Sequence, residues 1–290
     1  MTRGGVGALH LGLTLALGVA AIATSVLAAG KPARIVSLGG SVTEIAVALG
    51  AGDRLVGRDS TSTFPETILT LPEVGYIRAL SPEGVLSLAP DLIVAEQDAG
   101  PPEAVGVLTA AGVPFAIMPD DPSPQGVLAK ITAVASALGE DQAGADLVAQ
   151  VSAGLDQAQA RADAVTTPKK VLFVLSLQGG RIMAGGAGSS AEGIIALAGG
   201  VNAATGFDGY KQMTDEAVIA AAPDAIVMMD REGDLAISND DVLANPALAT
   251  TPAALSGKII RMNGSLLLGF GPRTPEAARL LYDALYGAQG

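Results

Sequence analysis

The sequence predicts an α/β protein of two Rossmann-like lobes with mainly parallel sheets, joined by one long α-helix. Three observations carry that expectation. Short β-rich runs alternate with helical stretches through both halves of the chain, the pattern of parallel sheets covered by helices on both faces. One uninterrupted helical pattern stands between the halves. A Gly-Tyr…Glu…Ala-Pro-Asp unit occurs twice with matched spacing.

The first 28 residues read as a targeting segment. Arg3 gives a positive start, Leu9 to Leu27 is apolar, and Val26-Leu27-Ala28 fits the small-x-small rule for a signal peptidase, which places cleavage before Ala29. The competing reading is a membrane anchor, since the run is about long enough to span. Its Ala and Gly content and the Lys31, Pro32 and Arg34 that follow favour the cleaved leader. No later run is apolar over a spanning length, so the mature chain is expected not to be membrane-embedded.

The chain has no cysteine, and its one histidine, His10, falls inside the leader. That excludes a lipid on an N-terminal cysteine, disulfides, a Ser-His-Asp triad, a Cys-His dyad and His- or Cys-ligated zinc. Enzymes built on carboxylates alone stay open. Without a lipid anchor, retention needs an outer membrane, so the expected location is the periplasm, with secretion as the alternative. Losing the leader and its single base takes the formal charge from -12 to -13. Such an acidic chain is a poor partner for nucleic acid or anionic membrane.

The mature chain divides into an N-terminal lobe at 29–139, a linking helix at 140–166 and a C-terminal lobe at 167–290. In the first lobe, strands are expected at 34–38, 54–57, 92–95 and 114–118. Ser41-Val42-Thr43-Glu44 reads as a capping box that opens a helix to Leu49. Gly39-Gly40-Ser41 lacks the spacing or lysine of a phosphate loop. In the linking helix, Leu147, Val151, Leu155, Ala158, Ala162 and Val165 share one face, and Thr166-Thr167-Pro168 ends it. An ordinary surface helix of one lobe is the alternative. In the second lobe, strands are expected at 171–176, 225–229 and 258–262, and helices at 190–198 and 275–286.

The repeated unit is the most informative feature. Gly75-Tyr76 leads through Ser81-Pro82-Glu83 to Ala89-Pro90-Asp91 and a buried strand. Gly209-Tyr210 leads through Thr214-Asp215-Glu216 to Ala222-Pro223-Asp224 and another. In both copies the proline stands seven positions after the glutamate. Each lobe is thus expected to present a tyrosine-bearing loop.

At RIVSLGGSVTEIAVALG (34–50), LPEVGYIRALSPEGVLSLAPDLIVA (71–95), VLFVLS with a following GG (171–180), GYKQMTDEAVIAAAPDAIV (209–227) and GFGPRTPEAA (269–278), the chain resembles the periplasmic haem-binding proteins of bacterial haem ABC importers. The resemblance implies a non-enzymatic protein that carries haem b, Fe(III) protoporphyrin IX, to the permease subunits of an importer, as a monomer. It implies Tyr76 as the axial ligand of the haem iron; a loop tyrosine packed on a lobe surface is the alternative. A phenolate is a hard donor suited to Fe(III). Arg78, two residues on, points to the same side of an extended loop, where it would stabilise the phenolate or pair with a haem propionate. Tyr210 and Lys211 are the expected contribution of the second lobe, by stacking and by pairing with a propionate. Arg58, Arg181 and Arg273 are further anion-pairing candidates, and Met183 a candidate for the distal face or for packing. Some relatives supply a histidine after the strand matching VLFVLS; Leu177-Gln178-Gly179-Gly180 stands here, which implies one five-coordinate haem. Glu83 and Glu216 match the glutamates that dock each lobe onto permease arginines; each also suits a helix N-terminus as a charge. Other readings are a ferric-siderophore or corrinoid carrier of the same fold, an exported carboxylate-based or Rossmann-type enzyme, and a haem store or sensor.

Overall fold

A computed structural model describes residues 31–230 and 237–287; the expected leader lies outside them. The first lobe runs β1 (Ile35–Leu38), α1 (Gly40–Ala48), β2 (Leu55–Arg58), α2 (Pro82–Ser87), β3 (Leu92–Ala95), α3 (Pro102–Ala110), β4 (Phe115–Ile117) and α4 (Pro124–Leu138). Its sheet has the order β2-β1-β3-β4, and every pairing is parallel. All four residues of β1 and of β3 are buried, as expected of central strands covered on both faces.

Helix α5 (Asp141–Asp163) follows. Val151, Leu155 and Ala158 of the expected face are buried, and Leu147 and Val165 pack partly buried against the same core. The helix ends three residues earlier than the sequence pattern suggests, so Val165 is reached by the exit turn rather than by the helix. It packs on α4 of the first lobe and on α6 and α12 of the second.

The second lobe contains β5 (Lys170–Ser176), β6 (Ile182–Gly185), α6 (Ser190–Leu197), β7 (Val201–Asn202), β8 (Tyr210–Met213), α7 (Asp215–Ala221) and β9 (Ala225–Asp230). Then come α8 (Asn239–Ala244), α9 (Pro246–Ala249), α10 (Pro252–Leu255), β10 (Ile259–Asn263), α11 (Gly264–Leu268) and α12 (Thr274–Tyr286). Its sheet has the order β10-β9-β5-β6-β8, with β7 paired to the start of β5. β10, β9 and β5 pair in parallel, while β6 pairs antiparallel with β5 on one side and β8 on the other. The largest hydrophobic cluster joins Ile35, Ile45 and Val134 of the first lobe to Val171, Phe173 and Leu281 of the second through α5.

Two sequence expectations change. Ser41 and Glu44 form no capping box: α1 begins at Gly40 behind Gly39, whose φ of 116° favours glycine. The Asp59 carboxylate accepts the Gly39 N–H at 2.9 Å, while the Ser41 and Glu44 side chains reach tertiary partners instead. Tyr210 stands in a strand, not a loop, because antiparallel pairing of β8 with β6 sets it opposite Gly185.

The repeated unit is otherwise alike in both lobes. Ser81 and Thr214 are N-caps whose side chains accept the Gly84 and Ala217 N–H groups. Ala89 and Ala222 both take left-handed backbone, with φ of 46° and 45°. The Asp91 carboxylate then accepts the Ala33 and Arg34 N–H groups, and the Asp224 carboxylate that of Lys170. Each aspartate thereby ties the start of one central strand to the strand beside it.

Candidate functional site

The loop after β2 is pinned before it reaches Tyr76. Arg58 and Pro72 share a backbone hydrogen bond of 3.0 Å, Val74 returns one to Arg58 at 2.9 Å, and Ser60 N–H donates to the Gly75 carbonyl at 2.8 Å. Val74 and Ile77 are buried on either side. Tyr76 therefore sits on a pinned turn, 43% exposed as a residue, at the start of a 3-10 turn over Ile77–Ala79.

Arg78 Nη1 donates to the Tyr76 hydroxyl at 2.5 Å, and its Nη2 pairs with Asp98. Burial lowers the Arg78 pKa, but the hydrogen bond to Tyr76 and the charge of Asp98 outweigh it, so the guanidinium titrates above its ordinary value. A fixed cation thus stands on the one phenol oxygen that faces the cleft from this lobe.

That cleft has a volume of about 880 Å³, within the range of about 300–1,000 Å³ usual for small-molecule sites. Tyr76, Ile77 and Arg78 line it from the first lobe, and Leu175, Tyr210 and Met229 from the second. Tyr210 meets Phe173 edge-on, with ring centroids 6.2 Å apart. Burial raises its pKa against the opposing pull of the Ala191 backbone and the Ser190 hydroxyl, so it stays a neutral phenol at ordinary pH.

The other predicted residues lie elsewhere. Arg58 is buried, donating to Glu73 at 3.1 Å and to the Asp59 carbonyl at 3.1 Å; it braces the Tyr76 loop from behind. Arg273 makes a two-point pair with Glu44, at 2.9 Å and 2.5 Å, and its guanidinium lies 3.6 Å from the Phe64 ring centroid. It is an anion-pairing residue whose anion belongs to the other lobe. Lys211 alternates with Tyr210 on β8 and is exposed outside the cleft lining. Arg181 lines a separate pocket with Gln212 and Asn245. Met183, partly buried, pairs with Gln212 in β6 and β8. Glu83 and Glu216 are exposed in the first turns of α2 and α7, one on each lobe.

One group in the cleft was not anticipated. Glu96, just past β3, accepts from the Ser41 N–H at 3.0 Å and the Ser41 hydroxyl at 2.6 Å. Lys130 of α4, 1% exposed, reaches Ser41 Oγ at 3.2 Å and Asp120 at 3.0 Å. A lysine on the apolar face of α4 was the only available signal.

A family model described as periplasmic binding protein matches residues 35–266. The chain belongs to that family. The periplasmic heme-binding protein RhuT from Roseiflexus sp. RS-1, in apo form, is similar at 43% identity over 87% of this chain and 97% of its own, with a TM-score of 0.84. The periplasmic heme-binding protein BhuT, in complex with two hemes, is 39% identical over 87% and 97%, with a TM-score of 0.82. The ABC transporter substrate-binding lipoprotein YvrC of Bacillus subtilis is 28% identical over 259 residues, 88% of this chain and 81% of that protein. A shorter stretch of 103 residues, 36% of this chain and 37% of its counterpart, is 36% identical to the vitamin B12-binding protein of Yersinia pestis. The family and these neighbours are binding proteins rather than enzymes. Among the described residues no helix is long and apolar enough to cross a membrane.

Proposed function

We propose that this chain is an exported periplasmic protein that binds haem b between its lobes and carries it, as a monomer, to the permease of an ABC importer. The observation that carries the reading is the Tyr76 hydroxyl, rigidly presented to the cleft and held by Arg78. A phenolate is a recognised axial donor to haem iron, and an adjacent cation favours the charged form of the phenol. Asp98 keeps Arg78 in place, and Tyr210 offers a neutral ring on the facing wall. The heme-binding proteins that share this fold at 39% and 43% identity support the same ligand class.

Glu83 and Glu216 support delivery. They are exposed, sit at equivalent places in the repeated unit, and carry no ion pair among the described residues, which suits two matched contacts with permease arginines.

Haemin titrated into the protein is expected to give a saturable absorbance change with an iron–phenolate charge-transfer band, absent in Tyr76→Ala. The match to a vitamin B12-binding protein over part of the chain favours corrinoid as the second reading. A saturable signal with a corrinoid and none with haemin would reverse the assignment.

A further inference from the structure

Both Ser41 hydrogen bonds to Glu96 end on Oε1. Oε2 accepts none among the described residues, and Glu96 lines the cleft. One oxygen of this carboxyl is therefore anchored, and the other has no protein donor among the described residues, on a side chain that lines the cleft. The charged neighbours are unbalanced. Lys130 from α4 bonds to Ser41 and Asp120, while Asp98, Asp120 and Asp230 line the same cleft and Arg78 stands on Tyr76. A ligand carboxylate entering here meets more negative than positive charge.

We propose that Glu96 is a specificity-determining residue: its Oε2 takes up a proton when the ligand binds and donates it in a hydrogen bond to a ligand carboxylate. The inference rests on the haem reading, since haem is the ligand class that brings propionates. Ionised, the same oxygen would repel them, so the site admits a carboxylate and a proton together. The physical setting agrees: burial pushes the Glu96 pKa up, opposed by Lys130 and the Ser41 bonds and reinforced by Asp120. Gln in this place keeps the anchored acceptor and turns the free oxygen into a permanent N–H donor.

The test is an absorbance titration of wild type and Glu96→Gln with haemin and with haemin dimethyl ester, between about pH 5.5 and 8, a range above the ordinary carboxylate value. Tyr76 ligation loses a proton in both proteins, so the ratio of their affinities isolates Glu96. For haemin, the affinity of wild type relative to Glu96→Gln is expected to fall by up to about tenfold per pH unit as pH rises, the slope of one linked proton. For the dimethyl ester the ratio should stay flat. A flat ratio for haemin, or the same slope with the ester, overturns the proposal while leaving haem binding intact. Glu96→Ala, measured alongside with thermal melts of every variant, should show the same pH slope of the ratio against wild type if the glutamine variant folds poorly. If no variant gives a saturable haemin band, the haem reading itself fails, and this inference with it.

Discussion

Removing the Arg273 side chain would strip the guanidinium from Glu44, which is only 7% exposed, and from the face of Phe64. Two effects add. Breaking a buried pair by deleting one partner costs about 3–5 kcal/mol, because the surviving charge is left without compensation. Arg273 keeps 21% of its side-chain exposure, which allows some water back, so the lower end of that range applies. Loss of the cation–π contact contributes about 0.5–1 kcal/mol more. A total of about 3.5–4 kcal/mol in a chain of this size lowers Tm by about 7–16 °C. The assay is thermal unfolding of Arg273→Ala, Glu44→Gln and the double variant, by circular dichroism at neutral pH. The double variant should be more stable than Arg273→Ala alone, since the stranded carboxylate has gone with its partner. A shift below about 2 °C for Arg273→Ala, under 1 kcal/mol on the same scale, would refute the reasoning. So would a double variant whose loss is the plain sum of the two single losses.

Arg78→Ala should weaken haemin binding about tenfold to a hundredfold, the equivalent of one charge-assisted hydrogen bond of about 1.5–3 kcal/mol, with the melting temperature nearly unchanged because Arg78 is exposed. Ala89→Gly and Ala222→Gly should each stabilise the fold by about 0.5 kcal/mol in urea unfolding, since relief of the left-handed backbone slightly exceeds the entropy that glycine loses. Equal gains are expected because the two positions are structural equivalents. Tyr210 has a raised pKa in the fold, so its contribution is present below the ordinary tyrosine value of about 10 and is lost as pH rises through the folded value. Tyr210→Phe should therefore flatten the alkaline end of the stability–pH profile, read by denaturant melts at a series of pH values.

The strands of both lobes were legible because central parallel strands are apolar on both faces, and seven predicted runs lie within a residue or so of β1 to β5, β9 and β10. The linking helix was legible because one stripe of its residues is buried. Helix α4 carried readable signals, Ser123 at its N-cap, Pro124 in its first turn and Gly139 at its left-handed end, although the alternation of strands drew attention away from it. The antiparallel β6 and β8 were not legible, since β8 is exposed at three of its four positions and shows no apolar run. At the cleft, the repeat drew attention to Tyr76 and Tyr210, and Arg78 followed from the resemblance that implied Tyr76 as a ligand. The bonds from Glu96 to Ser41, from Lys130 to Asp120 and from Arg273 to Glu44 connect residues too distant in the chain for local pattern to reveal. For the same reason nothing in the local sequence told a basic residue facing a ligand from one already engaged by a protein carboxylate, as Arg58 and Arg273 are.

Helix α5 has a kinetic consequence. Its 23 residues make a rod about 35 Å long at 1.5 Å per residue. The rod is gripped near its start and again just past its middle, because Gly144 lets Ala135 of α4 come close and Gly154 does the same for Pro275 of α12. A strut clamped in this way, running through one continuous apolar core, resists hinge opening of the kind that unfolded linkers permit. Loading is then a matter of diffusion into a mouth that already stands open. Its rate should follow the ordinary protein range of about 10⁵–10⁷ M⁻¹s⁻¹ and scale inversely with solvent viscosity, with no slow isomerisation beforehand. Under the proposed function, retention falls to the dissociation step, and unloading at the membrane becomes work that the transporter has to do on a stiff carrier.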